Sequence, residues 1–438
     1  MDATELPMTS SPTPDDADEL ALWAAVGGLE ASYLAPGATP PAETPQPPAE
    51  RRATPPVARA LLRRPDMAQE LRGLWVTRWD YRTAADVREI CDKAAEAHFN
   101  ALYFQVRGNA DALYASRVEP WSARLSGALG QHPGWDPLQV AVDEAHSRGL
   151  ELHAWINVYP AWLGEEPPPA AAPEPMYHRF NRLYGDAWVM WDRDKRPMRL
   201  NQHYLWANPA HWAVAEHIVQ VCRDIVSRYY VDGLHLDNVR YAGWEYSTDP
   251  LTDDRLAQAQ ALEPGLTRKE FQRRQVSNLV AAIRRAMDGY KPGLPLSAAV
   301  WPVYYSVWSW WTAGDGFTGF CQDSAGWVRS GSADLICPMF YLSSITTDDG
   351  QYETLLRDFA ARVGPGAVAA GITATYDSFD TIARRIDISR ELGVAGQVLF
   401  AYGHLNSRGY WRALRDGPYA ERAVVVPPVS ARLRVPVP

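Results

Sequence analysis

The chain has 438 residues, 47% of them hydrophobic, and a formal net charge of −9. That length allows two or three average domains, or one large barrel with extensions. The acidic balance, with no long basic run, argues against a nucleic-acid partner and against an anionic membrane surface.

Residues 1–68 are rich in Pro, Ala, Thr and acids ("TSSPTPDDADE", "APGATPPAETPQPPAERRATPP"). They bury too little surface to offset ordering entropy, so a disordered extension is expected, with one short helix around "ADELALWAAVGGLEASYL". No basic segment precedes an apolar run and no run reaches membrane-spanning length, so neither a signal peptide nor a span is expected. The expected location is cytoplasmic, or extracytoplasmic if the start is misassigned.

From Leu71 strands and helices alternate. "RGLWVTRW" reads as a strand. "TAADVREICDKAAEAHFN" is a helix with Thr83 as N-cap and Val87, Ile90, Cys91 and Ala94 at helical spacing. "ALYFQVRG" is a strand, "DPLQVAVDEAHSRG" a helix closed by Gly149, and "LELHAWINVY" a strand. A long irregular insert follows, from about 158 to 207. "NPAHWAVAEHIVQVCRDIVSRY" is a helix with Asn208 as cap and Pro209 at its first position. "VDGLHLDNVRY" is the fourth strand, and four more strand–helix units run to "GQVLFAYG" and "RGYWRALRD".

Eight such units predict a (β/α)8 TIM barrel over 69–417, with residues 418–438 as a tail. No glycine-rich phosphate loop follows any strand, so no nucleotide cofactor is expected. The four cysteines, Cys91, Cys222, Cys321 and Cys337, form no CxxC pair and read as buried free thiols.

Alternation places every second strand residue toward the barrel interior. Leu234 and Leu236 face the helices, while His235 and Asp237 face inward. The same rule turns Tyr103, Gln105, Arg107, His153, Trp155, Asn157 and Tyr159 inward. Gln105, Arg107, His153, Asn157, His235 and Asp237 would then converge on the C-terminal mouth, where barrel enzymes place their chemistry. Burying that much polarity without a task is costly.

"LRGLWVTRWD", "NALYFQVRGNADALYASRVEPWS", "DPLQVAVDEAHSRGLELHAWINVY", "VDGLHLDNVRY" and "WVRSGSADLICPMFY" together resemble the bacterial glycosyl hydrolase-like 10 family, from about 71 to 402. The resemblance implies a TIM-barrel glycosidase; a polysaccharide or cell-wall glycan is the expected substrate, and no metal or cofactor is expected. The family pattern often ends its fourth strand with two adjacent acids; here the second is Asn238. Where the family reads an SP-type turn after strand five, this chain has "SAAVWP", and Asn157-Val158-Tyr159 stands for an Asn-Pro-Tyr turn. The chain therefore reads as a divergent member.

Glycoside hydrolysis uses two carboxyl groups across the scissile bond. Resemblance and strand position both select Asp237 as the first. For the second, Asp323 in "CQDSAGWV" lies after strand five at a helix start, where an N-cap is the competing role. Asp111, Asp80 and Glu119 are loop alternatives. His235 or Arg240 would tune Asp237, Asn238 lies beside it, and Trp155, Trp301 and Tyr341 are placed to stack on sugar rings. Two rival readings are a metal-dependent hydrolase with His153, His235 and Asp237 as ligands, and a barrel that binds glycan without cleaving it.

Overall fold

The computed structural model describes residues 68–341 and 348–425. The expected N-terminal helix and most of the expected disordered extension lie outside the described residues, as do residues 426–438.

Eight parallel strands make the core: β1 (Leu71–Val76), β2 (Ala101–Arg107), β3 (Glu151–Asn157), β4 (Gly233–Asp237), β5 (Leu296–Val300), β6 (Leu335–Pro338), β7 (Ala369–Thr373) and β8 (Gly396–Phe400). They neighbour one another in chain order, and β8 pairs back to β1. The β6–β7 seam closes through two parallel bridges, Ile336 with Val368 and Met339 with Gly371. The result is a nearly closed TIM barrel.

The main outer helices are α1 (Ala84–Glu96), α2 (Pro137–Ser147), α3 (Trp212–Arg228), α4 (Arg268–Asp288), α5 (Ser324–Arg329), α6 (Asp349–Val363), α7 (Phe379–Glu391) and α8 (Tyr402–Arg408). Thr83 and Asp86 form a capping box on α1, and Asp136 caps α2 ahead of Pro137. The start of α3 differs from expectation: His211 is its N-cap. Asn208 and Pro209 lie in the preceding turn, because the Asn208 side chain binds Ala210 N–H and the Ala187 carbonyl.

Alternation along the strands divides the buried side chains into two layers. Leu102, Phe104, Ala154, Ile156, Leu234 and Leu236 pack toward the helices. Trp75, Tyr103, Trp155, Met339, Tyr341 and Phe400 fill the barrel. Two glycines make room for that filling. A side chain at Gly233 would meet the His153 Nδ1 at 2.1 Å, and one at Gly73 would meet the Tyr103 ring at 2.7 Å.

The insert after β3 is folded rather than irregular. An antiparallel pair, Pro160–Gly164 with Asn201–Trp206, carries a helix, Met176–Tyr184, and packs around Phe180, Trp188 and Trp206. The barrel unit also extends past 417. Ala423–Val424 pairs in parallel with Ala68–Gln69, and the Tyr419 side chain is fully buried. All four cysteines are buried and free.

Candidate active site at the barrel mouth

Asp237 ends β4 in register with Asn157 at the end of β3. Its side chain is buried and accepts a hydrogen bond from the Asn238 backbone N–H at 2.6 Å. Burial pushes its carboxyl up to about 6, while the Arg240 charge, the Asn238 N–H and the Trp155 indole pull it back. Arg240 lies almost wholly buried among the Trp206, Trp301 and Phe320 rings, 5.5–5.8 Å from their centres. Burial brings its guanidinium down to about 10, against the opposing pull of Asp237 and Tyr341. Asn238 adopts the left-handed conformation (φ 51°) that Asn tolerates better than most side chains. That turn lets its Oδ1 accept from Arg240 Nη2 at 3.1 Å.

A hydrogen-bonded brace supports this corner. Asn157 Oδ1 accepts from Gln105 Nε2 at 3.1 Å and from Trp155 Nε1 at 3.2 Å, and its Nδ2 donates to the Gly108 carbonyl. Gln105 in turn accepts from Arg78 N–H at 2.9 Å. Trp301 is pinned by Gln322, whose Oε1 accepts the Trp301 N–H while its Nε2 donates to the Val239 carbonyl. Tyr341 stacks on Phe400 at 5.0 Å, with Trp75 edge-on to both. Gln105, Trp155, Asn157, Asp237, Asn238, Arg240, Trp301 and Tyr341 therefore gather at one end of the barrel.

Other expected site residues sit elsewhere. Arg107 does not point into the mouth. A register shift between Gln105 and Arg107 sets it opposite Ile156, a helix-facing position. There it forms a fully buried ion pair with Glu119 at 2.7 Å and donates to the Asn157 and Val158 carbonyls. Glu119 also accepts from His217 on α3 at 2.8 Å. Glu119 is thus engaged behind the barrel wall.

His153 lies in the lower barrel, level with Gly233, its Nε2 3.1 Å from Glu151. His235 is fully buried, and both its ring nitrogens are taken. Trp75 Nε1 can only donate, so His235 Nε2 accepts and Nδ1–H donates to Ser297 Oγ at 2.8 Å. Burial and nearby His153 hold its imidazole well below its ordinary range, in the neutral form. The metal reading thereby loses a ligand. Among the described residues no three His, Cys, Asp or Glu side chains gather to hold a metal.

Asp323 is the N-cap of α5, accepting from Gly326 N–H and from the Tyr304 hydroxyl, both at 2.8 Å. It lines a groove on the outer side of the barrel with Glu270, Arg273 and Arg274 of α4. These contacts are those of the competing cap role. Two loop acids remain on the mouth side. Asp111 is buried in the turn after β2 and accepts from Asn109 N–H. Asp80, after β1, accepts from the Thr77 N–H and hydroxyl; burial pushes it up to about 6 against Thr77, Gly403 and Arg124.

Sequence reasoning missed Trp75, Arg78, Tyr204 and Trp206. Trp75 was within reach of the alternation rule, since it follows Gly73 by two. The insert residues were not: Arg78 Nη2 donates to the Tyr204 hydroxyl at 2.6 Å across chain segments more than a hundred residues apart.

The fold is shared with TIM-barrel glycoside hydrolases. The glycoside hydrolase domain of PgaB (BpsB) from Bordetella bronchiseptica aligns with a TM-score of 0.57 at 15% identity, over 80% of this chain and 98% of that one. The catalytic domain of a β-amylase from Paenibacillus polymyxa aligns with a TM-score of 0.54 at 9% identity, over 78% of this chain and 95% of that one. Within that class, residues 70–377 match the glycosyl hydrolase-like 10 family, and the chain belongs to it. Glycosyl hydrolase DigH of Escherichia coli K12 is 26% identical over 68% of this chain and 71% of its own length. Glycosyl hydrolase YngK of Bacillus subtilis is 24% identical over 82% and 73%.

Proposed function

We propose that the protein hydrolyses glycosidic bonds of an extended polysaccharide at the C-terminal mouth of its barrel, with Asp237 as the ionised carboxylate. The observation that carries this reading is the setting of Asp237, a buried carboxylate at the mouth end of β4, in register with Asn157 and hydrogen-bonded by the Asn238 N–H. Its carboxyl is pushed up to about 6, yet faced by a cation and two N–H donors that favour its charged form. Such a group is ionised at neutral pH while remaining basic enough to act as nucleophile or base. Family membership and the glycosidase fold support the reaction class. The proton donor falls to Asp111 or Asp80, the acids in the turns after β2 and β1. The Tyr341–Phe400 stack supplies an apolar floor of the kind a pyranose ring packs on.

The test is a polysaccharide and cell-wall panel with products read by mass spectrometry. Asp237→Asn keeps volume and hydrogen bonding but cannot act as nucleophile or base. It should lose roughly three orders of magnitude in hydrolysis with little change in melting temperature. Wild-type turnover by that variant would overturn the assignment. One observation favours a second reading, a barrel that binds glycan without cleaving it. Asn238 stands where the family pattern often has an acid, and no second carboxylate is among the groups acting on Asp237. Retention of a glycan with no new reducing ends would select that reading.

A further inference from the structure

The segment after β5 contains an aromatic loop that the site around Asp237 does not use. Val303 and Tyr304 accept hydrogen bonds from the Gly316 and Phe317 N–H groups at 2.8 and 2.9 Å, so the chain between them leaves and returns at one point. This is the geometry of a compact Ω-loop, a class of loop that is frequently functional. Asp315 stiffens it from within. Its carboxylate accepts from Ser306 N–H at 3.1 Å and from the Thr318 hydroxyl at 2.8 Å.

A line of indoles runs from the candidate site into this loop. Trp301 lies 5.5 Å from the Arg240 guanidinium and donates to the Gly314 carbonyl. Trp311 donates to the same carbonyl. Trp310 meets Trp311 edge-on at 6.4 Å, and Trp308 stacks on Trp310 at 5.6 Å and 28°. Trp308 and Trp310 are half-buried, and Tyr305 of the same loop is 42% exposed. Large rings held rigid, partly open to water and joined to the mouth by other rings are costly to expose without an occupant. The apolar faces of sugar rings match them in width and flatness.

We propose that Trp308 and Trp310 form a distal glycan-stacking subsite, gripping a sugar of the chain whose scissile bond lies at Asp237. The proposal rests on the glycan-hydrolase reading of that mouth. The occupant is a polymer long enough to reach both places. Loss of the subsite weakens binding of the polymer and leaves a short substrate unaffected.

Affinity gel electrophoresis in xylan, hydroxyethyl cellulose or glycol chitin tests this with the full chain. Wild type and Asp237→Asn should be retarded equally by at least one of these polymers. Trp308→Ala/Trp310→Ala should raise the polymer Kd by about tenfold, the loss expected when one or two stacked rings are removed. Its melting temperature should stay close to wild type. If the double variant fails to fold, Trp310→Gln alone is read in the same gels, with a several-fold loss expected. Undiminished retardation of the tryptophan variants, or no retardation of wild type by any of the polymers, overturns the subsite. So does a concentration-dependent dimer that disappears in the double variant, which would make the patch a self-association surface. Failure of the glycan-hydrolase reading has a separate signature: wild type retarded by a polymer on which it produces no new reducing ends, with the tryptophan variants still losing that retardation.

Discussion

At the scale of single residues, the chemistry turns on which forces reach Asp237. Burial favours its neutral form, and Arg240, the Asn238 N–H and the Trp155 indole favour the charged one. The balance near 6 predicts a pH–rate profile. If ionised Asp237 is required, kcat/KM should be flat above that value and fall tenfold per unit below it. Arg240→Gln removes the opposing cation and should move this acidic limb upward by about one unit. An unmoved limb in a folded variant would dissociate Asp237 from the profile. His235, two residues away, contributes nothing to this titration in the working range, because its neutral tautomer is locked between Trp75 and Ser297. Both residues were legible as inward-facing. Only the contacts separate the titrating acid from the satisfied histidine.

Elements place these residues and carry their own energetics. Asp323 begins α5, and its cap should be replaceable: Asp323→Ser and Asp323→Asn should stay within about 1 kcal/mol of wild-type stability and keep hydrolytic activity, whereas Asp323→Ala should destabilise. Loss of activity in stable Ser and Asn variants would return Asp323 to the catalytic set. A second device ties β2, the insert and α3 together. Arg107 pairs with Glu119, His217 bonds Glu119, and Arg179 from the insert helix donates to His217 Nδ1 at 2.8 Å. Burial opposes the charge on Glu119, but Arg107 and then His217 outweigh it and bring the carboxyl down to about 2. Because that value lies below the unfolded one, the stabilisation is present above about pH 4.5 and is lost as pH falls toward 2. Chemical denaturation across that window should show a loss of about 3 kcal/mol from this group. Glu119→Gln should lower stability at neutral pH and flatten the slope; an unchanged slope would mean that Glu119 does not titrate there. The bulge that turns Arg107 outward was not visible in "ALYFQVRG", since alternation alone assigns it to the interior.

On the scale of the whole molecule, the barrel closes at its N-terminal end with help from the chain beyond 417. Tyr419 packs edge-on to Phe99 at 5.4 Å under the Arg72 guanidinium, which donates to the Glu421 carbonyl at 2.5 Å. Truncation after 417 removes this ring, the carbonyl acceptors and the Ala423–Val424 pairing. It should cost about 3 kcal/mol or more, the range for deleting a buried aromatic side chain. Limited proteolysis of the full chain should protect residues through about 425. An unchanged melting temperature after truncation would put the boundary back at 417.

Local pattern was enough to determine the barrel. Eight runs of period-two hydrophobicity separated by capped amphipathic helices have few other ways to bury their apolar faces. The same alternation placed Gln105, Asn157 and Asp237 on one inner face, because a side chain's side of the sheet depends only on its count along the strand. Three matters needed the tertiary structure. The shift at Arg107 depends on a neighbouring strand and on a carboxylate from a later loop. The roles of His235 and Asp323 depend on which donors surround them, Trp75 and Ser297 for one, Gly326 and Tyr304 for the other. The wall built by Tyr204 and Trp206 depends on how a long insert returns over the mouth. Each of these is set by contacts between residues distant in the chain, for which no local spacing carries a signal.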